Sequence, residues 1–247
     1  MPEPNKVVFV TGAASGIGRA ASEAFVRKGW RTALADVNEE AGKAVATELG
    51  ALGECTYFRC DVTDDDSVRD AVMGAVGTFG RLDAAFNAAG IDGEHGKRTA
   101  ESTMENWHRV LAVDLTGTFS CMRHEIPAIV DSGGGSIVNC ASTAGLRGAP
   151  TVSAYTAAKH GVVGLTRVAA REYARVGVRI NAICPGTVDT PMFRASMSSF
   201  VDQLVASTPV GRLAEASEIA DVALWLCDGA PGYLTGEIIA VDGGVGA

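Results

Sequence analysis

The chain has 247 residues, of which 47% are hydrophobic and 20% charged, and a formal net charge of −8. That length suits one large α/β domain, and the acidic balance argues against nucleic acid as a ligand, since phosphate-backbone sites need clustered Lys and Arg. No apolar run reaches the roughly 18 residues that could span a bilayer, and Met1 to Lys6 lacks the charged and apolar regions of a signal peptide. A cytoplasmic protein is expected, with small molecules or further subunits as partners, no nucleic acid and no membrane.

The chain begins with a β-rich run, Lys6 to Thr11, followed at once by Gly12-Ala13-Ala14-Ser15-Gly16-Ile17-Gly18 and an apolar-periodic segment through Ala20, Ala24 and Phe25. This order predicts strand, glycine turn, helix. Glycines allow a tight turn and close backbone approach, while free N–H groups and the dipole at a helix start favour a pyrophosphate. Gly12, Ser15, Gly16, Ile17 and Gly18 are therefore candidate nucleotide-binding residues. The next predicted strand, Arg31 to Asp36, ends in an acid 18 residues beyond Gly18, where a carboxylate can accept hydrogen bonds from adenosine ribose hydroxyls. It would repel a 2′-phosphate, and Ser15 and Val37 add no cation to receive one. NAD is the expected cofactor rather than NADP.

A predicted helix from Glu39 to Leu49 leads to a strand over Thr56–Cys60 and then to Asp61 and Val62. Asp61 could hold a base edge or organise the turn. Thr63 with Asp66 has the pattern of a capping pair for the helix through Val68, Val72 and Val76. The strand Leu82 to Phe86 runs into Asn87-Ala88-Ala89-Gly90, whose small residues would let a flat ligand lie against the backbone, with the Asn87 amide free to bridge strands. From Trp107 the series Val110, Leu111, Leu115, Thr118, Phe119, Met122 has helical period, and Asp114 falls on the same inward stripe. A carboxylate there must be hydrogen-bonded, protonated or facing a wet site.

Gly133-Gly134-Gly135 marks a loop before the strand Ser136 to Cys140, which delivers Ser142 at the end where open parallel sheets bind ligands. The helix that follows carries Tyr155 and Lys159 four residues apart, and so on one face. A phenol must lose about 3 to 4 kcal/mol of its reluctance to ionise before it exchanges protons near neutral pH. One positive charge about 4 Å away supplies about 4 kcal/mol at an effective dielectric near 20. The strand Val178 to Cys184 ends at Pro185 and Gly186, followed by Val188 and Thr190. Residues 190–210 are expected to form a lid, with Met192, Phe193, Met197, Phe200, Val201 and Leu204 as its apolar side. A helix through Ile219 to Leu226 and a strand, Glu237 to Val241, close the chain.

The six cysteines are scattered through apolar runs as reduced packing thiols are, and His95, His108 and His124 with Cys121 make no convincing ligand set. No metal is expected.

Taken together, Thr11 to Gly18, Asp61, Asn87 to Gly90, Ser142, Tyr155 with Lys159, Asn181 with Pro185 and Gly186, Thr190, and Tyr233 to Gly244 resemble the short-chain dehydrogenase/reductase family. The resemblance spans nearly the whole chain. It implies a single Rossmann-like domain over residues 1–247, a doubly wound parallel sheet of seven strands with helices on both faces. It also implies that Tyr155 is the acid/base, that Ser142 holds the substrate oxygen and that Lys159 lowers the phenol pKa and binds the nicotinamide ribose. The Val188 backbone and Thr190 would hold the carboxamide, and long helices would pair in a homotetramer, with Ala157, Ala158, Gly161 and Gly164 permitting close approach. Asp114 stands where the family usually has Asn, a residue of its proton relay; an ionised Asp keeps an acceptor and loses the amide donor. The expected function is NAD-dependent hydride transfer to or from a secondary alcohol or ketone; the apolar lid with Ile91 and Leu146 nearby favours a moderately apolar or ring-containing substrate, while Glu94, His95 and Arg147 leave a polar one open. The alternatives are a 3-oxoacyl thioester (acyl carrier protein) reductase and a non-catalytic NAD-sensing protein.

Overall fold

The computed structural model describes residues 6–247; the stretch from Met1 to Asn5, on which the signal-peptide reading rests, lies outside the described residues. Strand β1 (Val7–Thr11) is buried at every position. Val7 and Phe9 pack toward one helical layer and Val8 and Val10 toward the other. Side chains alternate across a strand, so a continuous apolar run is what a sheet covered on both faces requires.

Helix α1 (Gly16–Arg27) leads to β2 (Arg31–Asp36), α2 (Glu39–Gly50), β3 (Cys55–Arg59), α3 (Asp65–Phe79) and β4 (Ala84–Asn87). The second half runs through α4 (Met104–Val110), a π-helical turn (Leu111–Thr116), α5 (Gly117–Asp131), β5 (Gly135–Cys140), α6 (Ser153–Tyr173) and β6 (Val178–Pro185). Then come β7 (Val188–Asp189), α7 (Pro191–Met197), α8 (Val201–Ser207), β8 (Ala214–Glu215), α9 (Ala216–Leu224) and β9 (Ile238–Val241). Seven of these strands form one parallel sheet in the order β3-β2-β1-β4-β5-β6-β9. Helices α3, α5 and α6 cover one face, and α1, α2 and α9 the other.

The order reverses between β1 and β4, and a crevice opens at the carboxyl ends of strands flanking such a switch point. The glycine turn, Asn87 to Gly90 and Ser142 all follow strand ends on that side. The short pair β7 and β8 is separate: Val188 pairs with Ala214 and Asp189 with Glu215, so residues 190–213 form an excursion whose two ends are held together.

Several expectations need correction. The capping residue of α3 is Asp64, whose side chain accepts from Asp66 N–H, while Thr63 donates both its N–H and hydroxyl to Asp61. The inward stripe does not continue unbroken from Trp107 to Met122: Trp107 is 37% and Phe119 51% exposed. The π-helical turn takes in an extra residue per turn and so rotates the face of α5 relative to α4. Ala158 is buried in the core and Gly161 faces Leu115 of that turn, so these two do not present a surface for another chain.

Candidate active site

The glycine turn folds back tightly. Gly12 has φ +67°, and a Cβ on Gly18 would run into the carbonyl of Gly12. Only glycine fits there, and the turn closes directly onto the first turn of α1. Thr11 Oγ1 accepts the N–H groups of Ala88 and Ala89 at 3.1 and 3.2 Å, tying the ends of β1 and β4 together across the switch point. Asp36 accepts from Ala14 N–H through Oδ2 and from Asn38 N–H through Oδ1, both at 2.9 Å. Its carboxylate is thus fixed at the rim of the turn. Gly12, Ser15, Gly16, Ile17, Gly18, Asp36, Asp61, Val62, Ala88, Gly90 and Thr190 line one cleft of about 320 Å³.

A second cavity, also of about 320 Å³, adjoins it and shares Ile17, Ala88, Gly90, Ile91, Thr190 and Met192. Ser142, Tyr155, Lys159, Asp114, Pro185, Gly186 and Val188 line this one. Ser142 stands beside Tyr155 in this wall, its hydroxyl close enough to pull the phenol down, and Ser142 Oγ accepts Ala144 N–H at 3.1 Å. Lys159 Nζ lies 5.4 Å from the Tyr155 ring centroid, donates to the Cys140 carbonyl at 3.1 Å and sits 3.3 Å from Asp114 Oδ2. Asp114 Oδ1 accepts Ile91 N–H at 2.8 Å. One spiral of α6 therefore sets phenol and ammonium side by side, and the π-helical turn swings a wholly buried carboxylate under the ammonium.

Residues 12–246 match the family described as Enoyl-(Acyl carrier protein) reductase. The chain belongs to the short-chain dehydrogenase/reductase family. It is 44% identical over 243 residues to 2,5-dichloro-2,5-cyclohexadiene-1,4-diol dehydrogenase of Sphingobium indicum, a match covering 97% of this chain and 96% of that one. The crystal structure of levodione reductase superposes with a TM-score of 0.92 at 36% identity, covering 98% and 97% of the two chains. That of actinorhodin polyketide ketoreductase with NADPH gives a TM-score of 0.92 at 34% identity, covering 98% and 97%.

The electrostatics of this short-chain dehydrogenase/reductase differ from the sequence expectation. Burial pushes the Tyr155 phenol above its ordinary value; Lys159 pulls it down, and Asp114 pushes it up again. The cation is present as expected, but a carboxylate partly cancels its field at the phenol. Burial alone would pull the Lys159 ammonium down, yet Asp114 and then Tyr155 reverse this and hold it above the ordinary lysine value. Burial raises the Asp114 carboxyl, against the opposing pull of Lys159 and the Ile91 N–H.

Other placements also differ. Asn87 does not line either cavity. Its amide lies inside the sheet, donating to Asn139 Oδ1 and Glu125 Oε2 at 3.0 Å each, and so it bridges β4 to β5 and α5. Phe200 is 48% and Leu146 43% exposed, and neither lines the cavity, whereas Met192, Phe193, Met197 and Leu204 do. Arg147 instead ties down the C-terminal tail, donating to the Val245 carbonyl at 2.8 Å. His95 lines the cavity as expected, but two arrangements went unread in the sequence. Glu125 is completely buried behind Asn87, and Asp92 pairs with His95 in the cavity wall. Glu125 falls three residues after the buried Met122, at helical spacing, a signal that could have flagged it; Asp92 and His95 lie in an irregular loop without any periodicity.

Proposed function

We propose that this chain is an NAD-dependent oxidoreductase that transfers a hydride between nicotinamide and a secondary alcohol or ketone, with a ring compound as substrate. The observation that carries it is the convergence of Ser142, Tyr155 and Lys159 on the wall of a largely apolar cavity that opens into the glycine-turn cleft. The relatives named for a ring diol and for levodione support the substrate class.

The residues present fit a dinucleotide. The glycine turn gives backbone N–H groups at a helix start for a pyrophosphate. Asp36 offers a fixed carboxylate to ribose hydroxyls, and no Lys or Arg lies among the described residues lining that cleft to balance a 2′-phosphate. This is the support for NAD over NADP. Pro185, Gly186, the Val188 backbone and Thr190 would hold the carboxamide end; Asp61, Val62, Ala88 and Gly90 would flank the adenosine, and Asn87 would act by bracing β4. Bound nicotinamide supplies the site that accepts or releases hydride.

In the oxidation direction, Ser142 holds the substrate oxygen and Tyr155, as phenolate, takes the hydroxyl proton. Lys159 stabilises that phenolate by its charge, and Asp114 fixes the ammonium in place. In reduction the phenol returns the proton. Helices α7 and α8 serve as the lid, since their Met192, Phe193, Met197 and Leu204 exclude water from the reacting carbon. We further propose that the protein is a cytoplasmic homotetramer.

The test is a panel of cyclic secondary alcohols and ketones with NAD(H) and NADP(H), followed at the nicotinamide absorbance band. Turnover with NAD(H) is expected, and Tyr155→Phe should lower kcat by about 10²–10⁴-fold. A strict need for NADPH with an acyl carrier thioester would favour the thioester reductase. Tight NAD binding without turnover of any panel member would favour a sensor.

A further inference from the structure

Apart from the Cys140 thiol, the ionisable side chains lining the cavity fall into two groups. One is the reacting set of Tyr155, Lys159 and Asp114; the other is the pair Asp92 and His95, in the loop after β4. The proposed function assigns nothing to the second. His95 Nε2 lies 2.9 Å from Asp92 Oδ2. An ionised carboxylate can only accept, so Nε2 carries the hydrogen, and in the neutral form of the ring Nδ1 is left as an acceptor.

The loop that carries the pair is held from both sides. Ile91 N–H is bonded to Asp114 at 2.8 Å and Glu94 N–H to Asn106 Oδ1 at 2.9 Å. Gly93, at φ +72°, is pressed so close to α4 that a Cβ would come within 2.7 Å of Asn106 Oδ1. Lys97 then donates to Glu94 Oε1 at 2.9 Å. The imidazole is therefore preorganised, and its use in binding carries little ordering cost.

An apolar substrate filling this cavity would strip water from the imidazole acceptor and return no hydrogen bond, a loss that a hydroxyl donor avoids. We infer that His95 determines specificity by accepting a hydrogen bond from a second hydroxyl on the substrate, so that the enzyme favours a ring diol over a plain cycloalkanol. The inference rests on the oxidoreductase reading above and deepens it.

The test compares kcat/KM for cyclohexanol and for the separate cyclohexanediol regioisomers in the wild type, His95→Phe and His95→Asn, each checked for an unaltered thermal midpoint. The wild type should prefer its best diol by about tenfold, as one net hydrogen bond allows. His95→Phe should collapse that ratio to about one through the diol KM, and His95→Asn should restore part of it, because the amide oxygen can stand near the Nδ1 position. A wild-type ratio of about one, or a ratio unchanged in His95→Phe, would overturn the assignment while leaving the oxidoreductase reading intact. Absence of turnover of every alcohol by the wild type would overturn both.

Discussion

Glu125 shows what a buried acid does to this protein before any substrate arrives. Complete burial pushes its carboxyl from the ordinary 4.5 to about 8, although the Asn87 amide donates to it. The folded state therefore keeps a proton that the unfolded chain releases once the pH passes 4.5. Stability falls as pH rises through that interval and levels off above about 8. The contribution is at most about 5 kcal/mol. Glu125→Gln keeps an acceptor for Asn87 and removes the titration. Its unfolding free energy, measured by denaturant titration relative to the wild type, should improve steadily between pH 5 and pH 8. A difference that stays flat with pH would show that Glu125 is ionised in the fold. Asp114 acts nearer the chemistry. Its carboxylate raises the Tyr155 phenol, so Asp114→Asn should lower that pKa while the Asn oxygen still accepts Ile91 N–H. Alcohol oxidation needs the phenolate, and the rising limb of its kcat/KM profile should move to lower pH, with a several-fold gain in rate below the wild-type midpoint. An unmoved limb would mean that Asp114 carries a proton and exerts no field.

The strands and helices were readable where a single period runs through them, as in β1 or the Tyr155 helix, and unreadable where two geometries meet. The run from Trp107 to Met122 looks like one amphipathic helix, but the π-helical turn at Leu111–Thr116 divides it and changes which residues face the core. Asp114 still fell on the inward side because it lies within the turn itself. Strand β9 begins at Ile238 rather than Glu237, because the Asn181 side chain accepts the Glu237 N–H at 3.0 Å. The glycine turn and the Ser142, Tyr155, Lys159 set were legible because their spacing is local to one strand end or one helix. The ammonium–carboxylate contact and the Asp92–His95 pair join distant or aperiodic segments, and no local pattern reports them. The loop leading into α6 also carries strain invisible in sequence: Thr151 sits at φ +69°. A side chain in that region costs about 1–2 kcal/mol, and glycine gives back part of the gain through its freer unfolded chain. Thr151→Gly should therefore raise stability by roughly 0.5–1 kcal/mol, seen as an increase of about 2 °C in the thermal midpoint. A fall would show that the threonine side chain makes a contact worth more than the strain.

Assembly would act on the same layer that forms the site. Helices α5 and α6 lie on one face of the sheet with α4 packed against α6, and on these three helices Trp107, Phe119 and Val168 are 37%, 51% and 55% exposed. Exposed apolar groups scattered over a surface are ordinary, but three on adjoining helices give a face that another copy can cover. Gly164, which has open space about it, lies on α6 and would allow close approach. If these helices pair in a homotetramer, the wild type should sediment at four times the 25.4 kDa chain. Phe119→Glu places a charge on that face, where an isolated chain would tolerate it within about 0.5 kcal/mol. The variant should sediment as a smaller species, and its thermal midpoint should depend on concentration more steeply than that of the wild type over the range where its weakened assembly dissociates. Because α6 also holds Tyr155 and Lys159, and the π-helical turn packs against it, dissociation should raise KM before it lowers kcat. A Phe119→Glu protein that remains four chains in size would assign the contact to a different face, and a wild type of one-chain size would remove the tetramer altogether.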